Sequence, residues 1–200
     1  MSQKLPVMEE FLSVQGEGIN VGKVAYFIRL AGCDVGCSWC DVKESWDKDL
    51  HPLKSIEELV EGAKNSGAPN VVVTGGEPTL HHLELLTKRL KEIGLKTWLE
   101  TSGTNPITGI WDWICLSPKK FKDPLDEALS MAHELKVIVL NKNDIVWGET
   151  IVSKLSKNCK LLFQPEWDKS EKASELIIDY VIKHPEWQVS LQTHKYLNIR

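Results

Sequence analysis

The chain has 200 residues, 42% of them hydrophobic, with a formal net charge of -4 and a pI near 5.9. That size and composition suit a single domain over residues 1–200 with an ordinary core and no need of disulfides, and the acidic balance argues against a nucleic-acid surface. No stretch reaches the roughly eighteen apolar residues of a membrane span and residues 1–10 show no apolar export segment, so the expectation is a soluble, cytoplasmic protein with a small substrate.

Strand-like runs alternate with helix-like patterns from end to end, the mark of an α/β domain with a parallel sheet. Val24–Leu30 reads as the first strand and leads into Cys33, Cys37 and Cys40. Ser55 then caps a helix, because Glu58 completes a capping box and Ile56, Leu59, Val60 and Ala63 share one face. Residues 71–73 form a second strand, and a second helix over 82–93 carries Leu83, Leu86, Leu90 and Ile93 before stopping at Gly94. A third strand spans 95–100. Later strands are expected at Trp113–Leu116, 137–140, 161–164 and 189–191, with helices near 123–134, 149–157 and 170–183. Six or seven mainly parallel strands, with fewer helices than an eight-fold barrel has, predict an incomplete (partial) βα barrel whose site lies at the strands' carboxyl ends.

The cysteines stand in a C-x3-C-x2-C spacing with Trp39 just before the last. Three thiolates hold three irons of a [4Fe-4S] cube and leave the fourth iron open to a substrate or cofactor. A structural zinc site would need a fourth ligand, and the nearest downstream histidine, His51, is poorly spaced for it. A disulfide framework does not suit five cysteines in a chain of this composition. Cys115 and Cys159 lie in apolar runs and read as buried strand residues.

The strand exits are short and polar. They run Thr74-Gly75-Gly76-Glu77-Pro78, then Glu100-Thr101-Ser102-Gly103, Ser117-Pro118-Lys119 and Gln164-Pro165-Glu166. Singly each reads as a turn; together they would ring one mouth. There Gly75 and Gly76 would let backbone approach a ligand, Glu77 would accept from an amino group, and Ser102, Ser117 and Lys119 would meet hydroxyl or carboxylate groups. Arg29, between Ile28 and Leu30, needs an anionic partner if it points inward, and a substrate carboxylate would supply one.

These residues resemble the radical S-adenosylmethionine (SAM) enzymes, through the cysteine loop, the Gly-Gly-Glu-Pro strand end and the partial barrel. Within them the chain is similar, nearly end to end, to the 7-carboxy-7-deazaguanine synthases of queuosine biosynthesis. Ser13 to Gly18, Phe27 to Cys33, Cys40-Asp41, Ser117 to Lys119 and Gln192 to Lys195 carry that narrower likeness. The resemblance implies a carbon-nitrogen lyase in which SAM chelates the open iron and is split to a 5′-deoxyadenosyl radical. The radical would convert 6-carboxy-5,6,7,8-tetrahydropterin to 7-carboxy-7-deazaguanine by ring contraction and loss of ammonia. It also implies cluster ligation by Cys33, Cys37 and Cys40; SAM contacts from Trp39, Gly76, Glu77, Ser102, Ser117, Pro118, Lys119, Gln164, Pro165 and Glu166; and pterin contacts from Val14, Gln15, Gly16, Arg29, Thr74 and the terminal carboxylate of Arg200. No other catalytic side chain is assigned. A homodimer and a reductant such as a flavodoxin or ferredoxin are further implications.

Two positions depart from the pattern: the chain ends in Ile199-Arg200 where family members often end in proline, though a carboxylate would still be offered, and the loop after the cysteines differs. Family members commonly follow the last cysteine with Asp-Thr or Asp-Ser, a hydroxyl associated with Mg2+, whereas here Asp41 is followed by Val42. Valine has no oxygen to offer, so the ion would rest on Asp41 or a water, or be absent. Two other readings are a small glycyl-radical-enzyme activating enzyme, in which the Gln15 to Gly18 and Gln192 to Lys195 segments have no evident use, and a non-catalytic zinc- or cluster-binding module.

Overall fold

The computed structural model describes residues 3–200; Met1 and Ser2, part of the segment read for an export signal, lie outside the described residues. Nine strands form one sheet in the order β3-β1-β2-β4-β5-β6-β7-β8-β9. They are β1 (Lys4–Val14), β2 (Val24–Leu30), β3 (Leu53–Ser55), β4 (Asn70–Gly75), β5 (Lys96–Thr101), β6 (Trp113–Leu116), β7 (Glu134–Val139), β8 (Lys160–Pro165) and β9 (Trp187–Val189). From β2 through β9 every neighbouring pair is parallel. The outermost strands, β3 and β9, are not paired to each other, so the barrel is open.

Two strands were not read from the sequence. β1 runs antiparallel to β2, and the short β3 is antiparallel to β1. β1 bends at an irregularity between Val7 and Glu9, and the two consecutive glutamates there break the alternation that marks a strand.

The helices are α1 (Ile56–Ser66), α2 (Glu84–Glu92), α3 (Asp126–Met131), α4 (Lys142–Val152), α5 (Ser170–Val181) and α6 (Thr193–Leu197), the last at the strand ends beside the cavity. The capping box of Ser55 and Glu58 is present, and α1 ends at Gly67 in the left-handed region. The helix expected over 123–134 is shorter, since Leu125 and Ala132 are extended at its two ends and Glu134 already belongs to β7. The helix expected at 149–157 begins earlier, at Lys142, because Asn141 and Asp144 form its capping box. β7 likewise starts earlier than expected, as its inward side chains, Glu134 and Lys136, are charged.

Two apolar clusters lie between sheet and helices. One joins Ile28, Leu30, Val71, Val73 and Leu99 to Leu59, Leu86 and Leu90; the other joins Leu116, Leu135, Val137, Val139 and Phe163 to Ile145 and Ile177. The alternate residues of the same strands face the barrel interior. There Phe27, Val72, Trp98 and Trp113 stand level across β2, β4, β5 and β6, and Phe27, Val72 and Trp98 pack with Ala25 into a small interior cluster. Above that cluster the interior turns polar.

Candidate active site

The carboxyl end of β2 enters the cysteine loop through Gly32, whose φ of 100° favours glycine. Gly32 N–H donates to the Ser45 carbonyl at 2.7 Å and Cys33 N–H to the Trp46 carbonyl at 3.1 Å, which pins the loop to the turn after it. Cys37 accepts from Cys40 N–H at 3.1 Å through its carbonyl, and the Cys40 Sγ accepts from Val42 N–H at 3.4 Å. All three thiols are free and half-buried. His51 bonds the Glu44 carbonyl at 2.7 Å and is not part of the cavity wall. Three free cysteine sulfurs in one loop, with His51 turned to the Glu44 carbonyl, are a soft donor set that fits an iron-sulfur cube.

The end of β4 approaches this loop closely. Gly76 N–H donates to the Leu30 carbonyl at 3.0 Å and Glu77 N–H to the Gly32 carbonyl at 2.8 Å. A Cβ on Gly76 would stand 2.9 Å from the Cβ of Cys33, so the close approach expected of this glycine is to the cysteine loop itself.

Glu77, read as an acceptor for a ligand amino group, is tied to the protein by several donors. Its carboxylate is buried and accepts from Thr79 N–H at 3.1 Å, Thr79 Oγ1 at 2.6 Å, Thr101 Oγ1 at 2.5 Å and Ser102 N–H at 2.8 Å, and from the Ser102 hydroxyl. With its acceptor sites taken by the protein, it ties the end of β4 to the end of β5. Glu166 is similar: it caps the turn at 167–169, accepting from Asp168 N–H at 3.2 Å and Lys169 N–H at 3.1 Å. Lys119 Nζ donates to Ser117 Oγ at 3.0 Å, and burial lowers its pKa against the pull of Cys37. Gln164 Oε1 accepts from Ser190 Oγ at 2.7 Å, and that hydroxyl accepts from Gly18 N–H at 2.9 Å.

One cavity of about 480 Å³ opens at the strand ends, a size suited to small ligands. Its wall includes Cys33, Cys37 and Cys40, each residue expected to meet SAM except Pro118, and Val14, Gln15, Gly16, Arg29, Thr74 and Arg200. The Arg29 guanidinium already has an anionic partner, since its Nε donates to Glu9 at 2.7 Å; the substrate carboxylate is not needed to neutralise it. Ser13 Oγ donates to the Arg200 carbonyl oxygen at 2.7 Å, so the chain terminus lies at the end of β1.

The wall also holds Asp41, considered above only for Mg2+, and residues given no site role: Glu17, Glu100, Lys136, Gln192, His194 and Lys195. Lys136 Nζ bonds Glu17 at 2.5 Å and Glu100 at 3.0 Å. The C-terminal segment folds over this wall, with Thr193 N–H and Oγ1 both donating to the Gly16 carbonyl at 2.8 Å. The available signal was Lys136 itself, a charge inside an apolar strand. Cys115 is buried on β6 as expected, though its neighbours are Glu100 and Glu134; Cys159 sits half-buried in the turn before β8, not within a strand.

Residues 27–143 match the family described as the Radical SAM superfamily. The chain is 54% identical over 197 residues to the 7-carboxy-7-deazaguanine synthase of Flavobacterium psychrophilum, which covers 98% of this chain and 93% of that one. It is 48% identical over 195 residues to the synthase of the same name from Synechocystis sp., again covering 98% and 93%. The crystal structure of QueE from Escherichia coli is similar, with a TM-score of 0.88 and 34% identity across 96% of this chain and 95% of that chain.

Proposed function

The chain belongs to the radical SAM superfamily and, within it, to the 7-carboxy-7-deazaguanine synthases, and we propose that its cavity takes a carboxylated tetrahydropterin and performs their carbon-nitrogen lyase reaction. One observation carries this reading: Cys33, Cys37 and Cys40, all free, share one cavity wall with the residues of the Gln15 to Gly18 and Gln192 to Lys195 segments. The relatives favour neither an activating enzyme nor a zinc module.

The cluster would be held by Cys33, Cys37 and Cys40, and with SAM bound it supplies a one-electron cleavage of the sulfonium that yields a hydrogen-abstracting radical. The protein's part is to place the two ligands and exclude water. Ser102, Ser117 and Lys119 line the SAM side, and Glu77 acts there by fixing Ser102. On the pterin side the Nε of Arg29 is held by Glu9, which leaves the two Nη groups as a fork for the substrate carboxylate. The Arg200 terminus, Thr74 and Gln15 complete that wall.

Mg2+ does not fit this loop. Val42 has no donor, and the Asp41 carboxylate is paired with Lys195 Nζ at 2.9 Å, so we assign the ion no part. A reducing, cytoplasmic setting suits free thiols; among the described residues no helix is long and apolar enough to cross a membrane. A flavodoxin- or ferredoxin-type reductant and a homodimer belong to the same reading, carried by family likeness.

The test is anaerobic reconstitution with iron and sulfide, followed by assay of SAM cleavage and pterin conversion. Formation of the deazapurine acid is expected. Cleavage of SAM with the pterin left untouched would remove the substrate assignment and leave the superfamily standing.

A further inference from the structure

The barrel interior beneath the cavity holds a charged group that neither cluster nor SAM binding explains. Lys136, in the middle of β7, is 3% exposed. Its ammonium donates to Glu17 Oε2 at 2.5 Å and Glu100 Oε2 at 3.0 Å. These carboxylates come from separate parts of the chain, the loop after β1 and the end of β5. Each is held a second time: Gln192 Nε2 donates to Glu17 Oε1 at 3.0 Å and Gln15 Nε2 to Glu100 Oε1 at 2.9 Å. Glu134 is buried beside them and accepts from Ile19 N–H at 3.0 Å and Trp113 Nε1 at 3.1 Å. One ammonium thus stands among more carboxylates than it can neutralise, an arrangement that a well-packed apolar core would match or better for stability. Surplus acceptors in the wall of a cavity suit a ligand edge built of N–H donors.

We propose that Lys136 is the positioning residue of the pterin wall: its ammonium aims the carboxylates of Glu17 and Glu100 into the cavity as acceptors for the N–H edge of an amino-pyrimidinone ring. The inference rests on the pterin reading above. Arg29 then takes the carboxylate at one end of the substrate while the acidic pair takes the donor edge at the other, so the ring has one orientation.

The charges support this placement. Burial opposes ionisation of Glu17, but the charge and hydrogen bond of Lys136, followed by Gln192 and Gln164, bring its carboxyl down to about 2. Glu100 is pushed up by burial, with Glu134 and Glu17 adding to the rise and Lys136 opposing it. The titratable groups of this cluster are Lys136, Glu100 and His194, each interacting with Glu17, with Glu134 and Cys115 set beside Glu100 and Lys136. Without the ammonium, burial and the remaining carboxylates would both raise Glu17, and its loss as an acceptor would be worst at low pH.

The experiment is Lys136→Met in the reconstituted enzyme. At neutral pH the KM for pterin should rise roughly tenfold or more, the usual effect of losing a hydrogen bond to a charged group, and should fall again as pH rises and the carboxylates ionise. SAM cleavage without pterin and the iron and sulfide content should stay at wild-type values. Lys136→Arg, which keeps the charge, should return KM to within about threefold of wild type. Where Lys136→Met is too unstable to isolate, Lys136→Gln replaces it with the same expected results. A pterin KM that is unchanged and flat with pH, or an equal loss of pterin turnover and SAM cleavage, overturns the proposal while the substrate reading survives. Wild-type enzyme that cleaves SAM and ignores the pterin refutes the substrate reading, and the proposal with it.

Discussion

Asp41 and Lys195 form an ion pair at 2.9 Å, joining the residue after the last cluster cysteine to the C-terminal helix. Gln192, at the start of that helix, reaches both Asp41 at 3.4 Å and Glu17 at 3.0 Å. The tail therefore links the cysteine loop to the pterin wall, and the Lys195 ammonium also lies 4.9 Å from the ring centroid of Trp167.

Because Asp41 is 53% exposed, the pair contributes little to folding, and Lys195→Met should cost less than about 1 kcal/mol in denaturant unfolding. Its effect should fall on binding instead. Loosening the tail frees Gln192 and Thr193 from Glu17 and Gly16, so the KM for pterin should rise several-fold at unchanged cluster content. A large drop in stability with an unaltered KM would mean that the tail is a structural strap alone.

The same pair bears on Mg2+. With Asp41 neutralised by an ammonium and Val42 apolar, turnover in chelator and in millimolar Mg2+ should agree within about twofold, since Mg2+ needs oxygen ligands. Val42→Thr restores a hydroxyl at that position and should introduce a response to the ion. A wild-type rate that collapses on chelation and returns with Mg2+ alone would show that the ion binds elsewhere in the cavity.

Gly76→Ala tests how tightly the strand end seats the cysteine loop. The new Cβ would lie 2.9 Å from the Cβ of Cys33 and closer still to the Gly32 carbonyl, and backbone on one side has little room to yield. We expect about 1–3 kcal/mol of destabilisation from overpacking. Iron and sulfide per chain should fall with it, read against wild type reconstituted in parallel. Full cluster loading in the variant would show that the loop moves freely.

Much of the site was legible because its signals are local. Cys33, Cys37 and Cys40 fall in one loop, and the Gly75-Gly76 and Ser117-Pro118-Lys119 exits announce strand ends whatever the rest of the fold does. What was missed depends on distant pairing. β1 shows no clean alternation, and its identity as a strand comes from antiparallel pairing with β2. Glu100 was read only as part of a strand exit and Lys136 was not read at all, because only the parallel registers from β5 to β7 bring them together. Glu77 lines the cavity, and its bonds to Thr79, Thr101 and Ser102 could not be read ahead because these groups meet its carboxylate only once β4 and β5 lie side by side.

That network makes Glu77→Gln informative. The amide turns a donor group toward Thr79, Thr101 or Ser102, all of which already donate, and the mismatch is buried. A loss of about 2–4 kcal/mol is expected from unmet buried hydrogen bonds, seen as a lower midpoint in urea. The Kd for SAM should weaken as well, because Ser102 loses the carboxylate that fixes it. Unchanged stability would require that waters replace the missing acceptor.

Cys115 offers a check on whether the barrel interior is closed. It is 1% exposed, and burial, then the neighbouring carboxylates Glu100 and Glu134, push its thiol well above the usual range. Since the thiolate is the reactive form, iodoacetamide applied to cluster-free protein at neutral pH should modify the cysteines of the open loop. Cys159, pushed up to about 11 chiefly by burial, should react more slowly, and Cys115 only on unfolding. Peptide mass mapping across a time course reads all five sites. Early labelling of Cys115 would mean that the polar interior opens to solvent, and the acidic pair around Lys136 would then be too loosely held to orient a ligand.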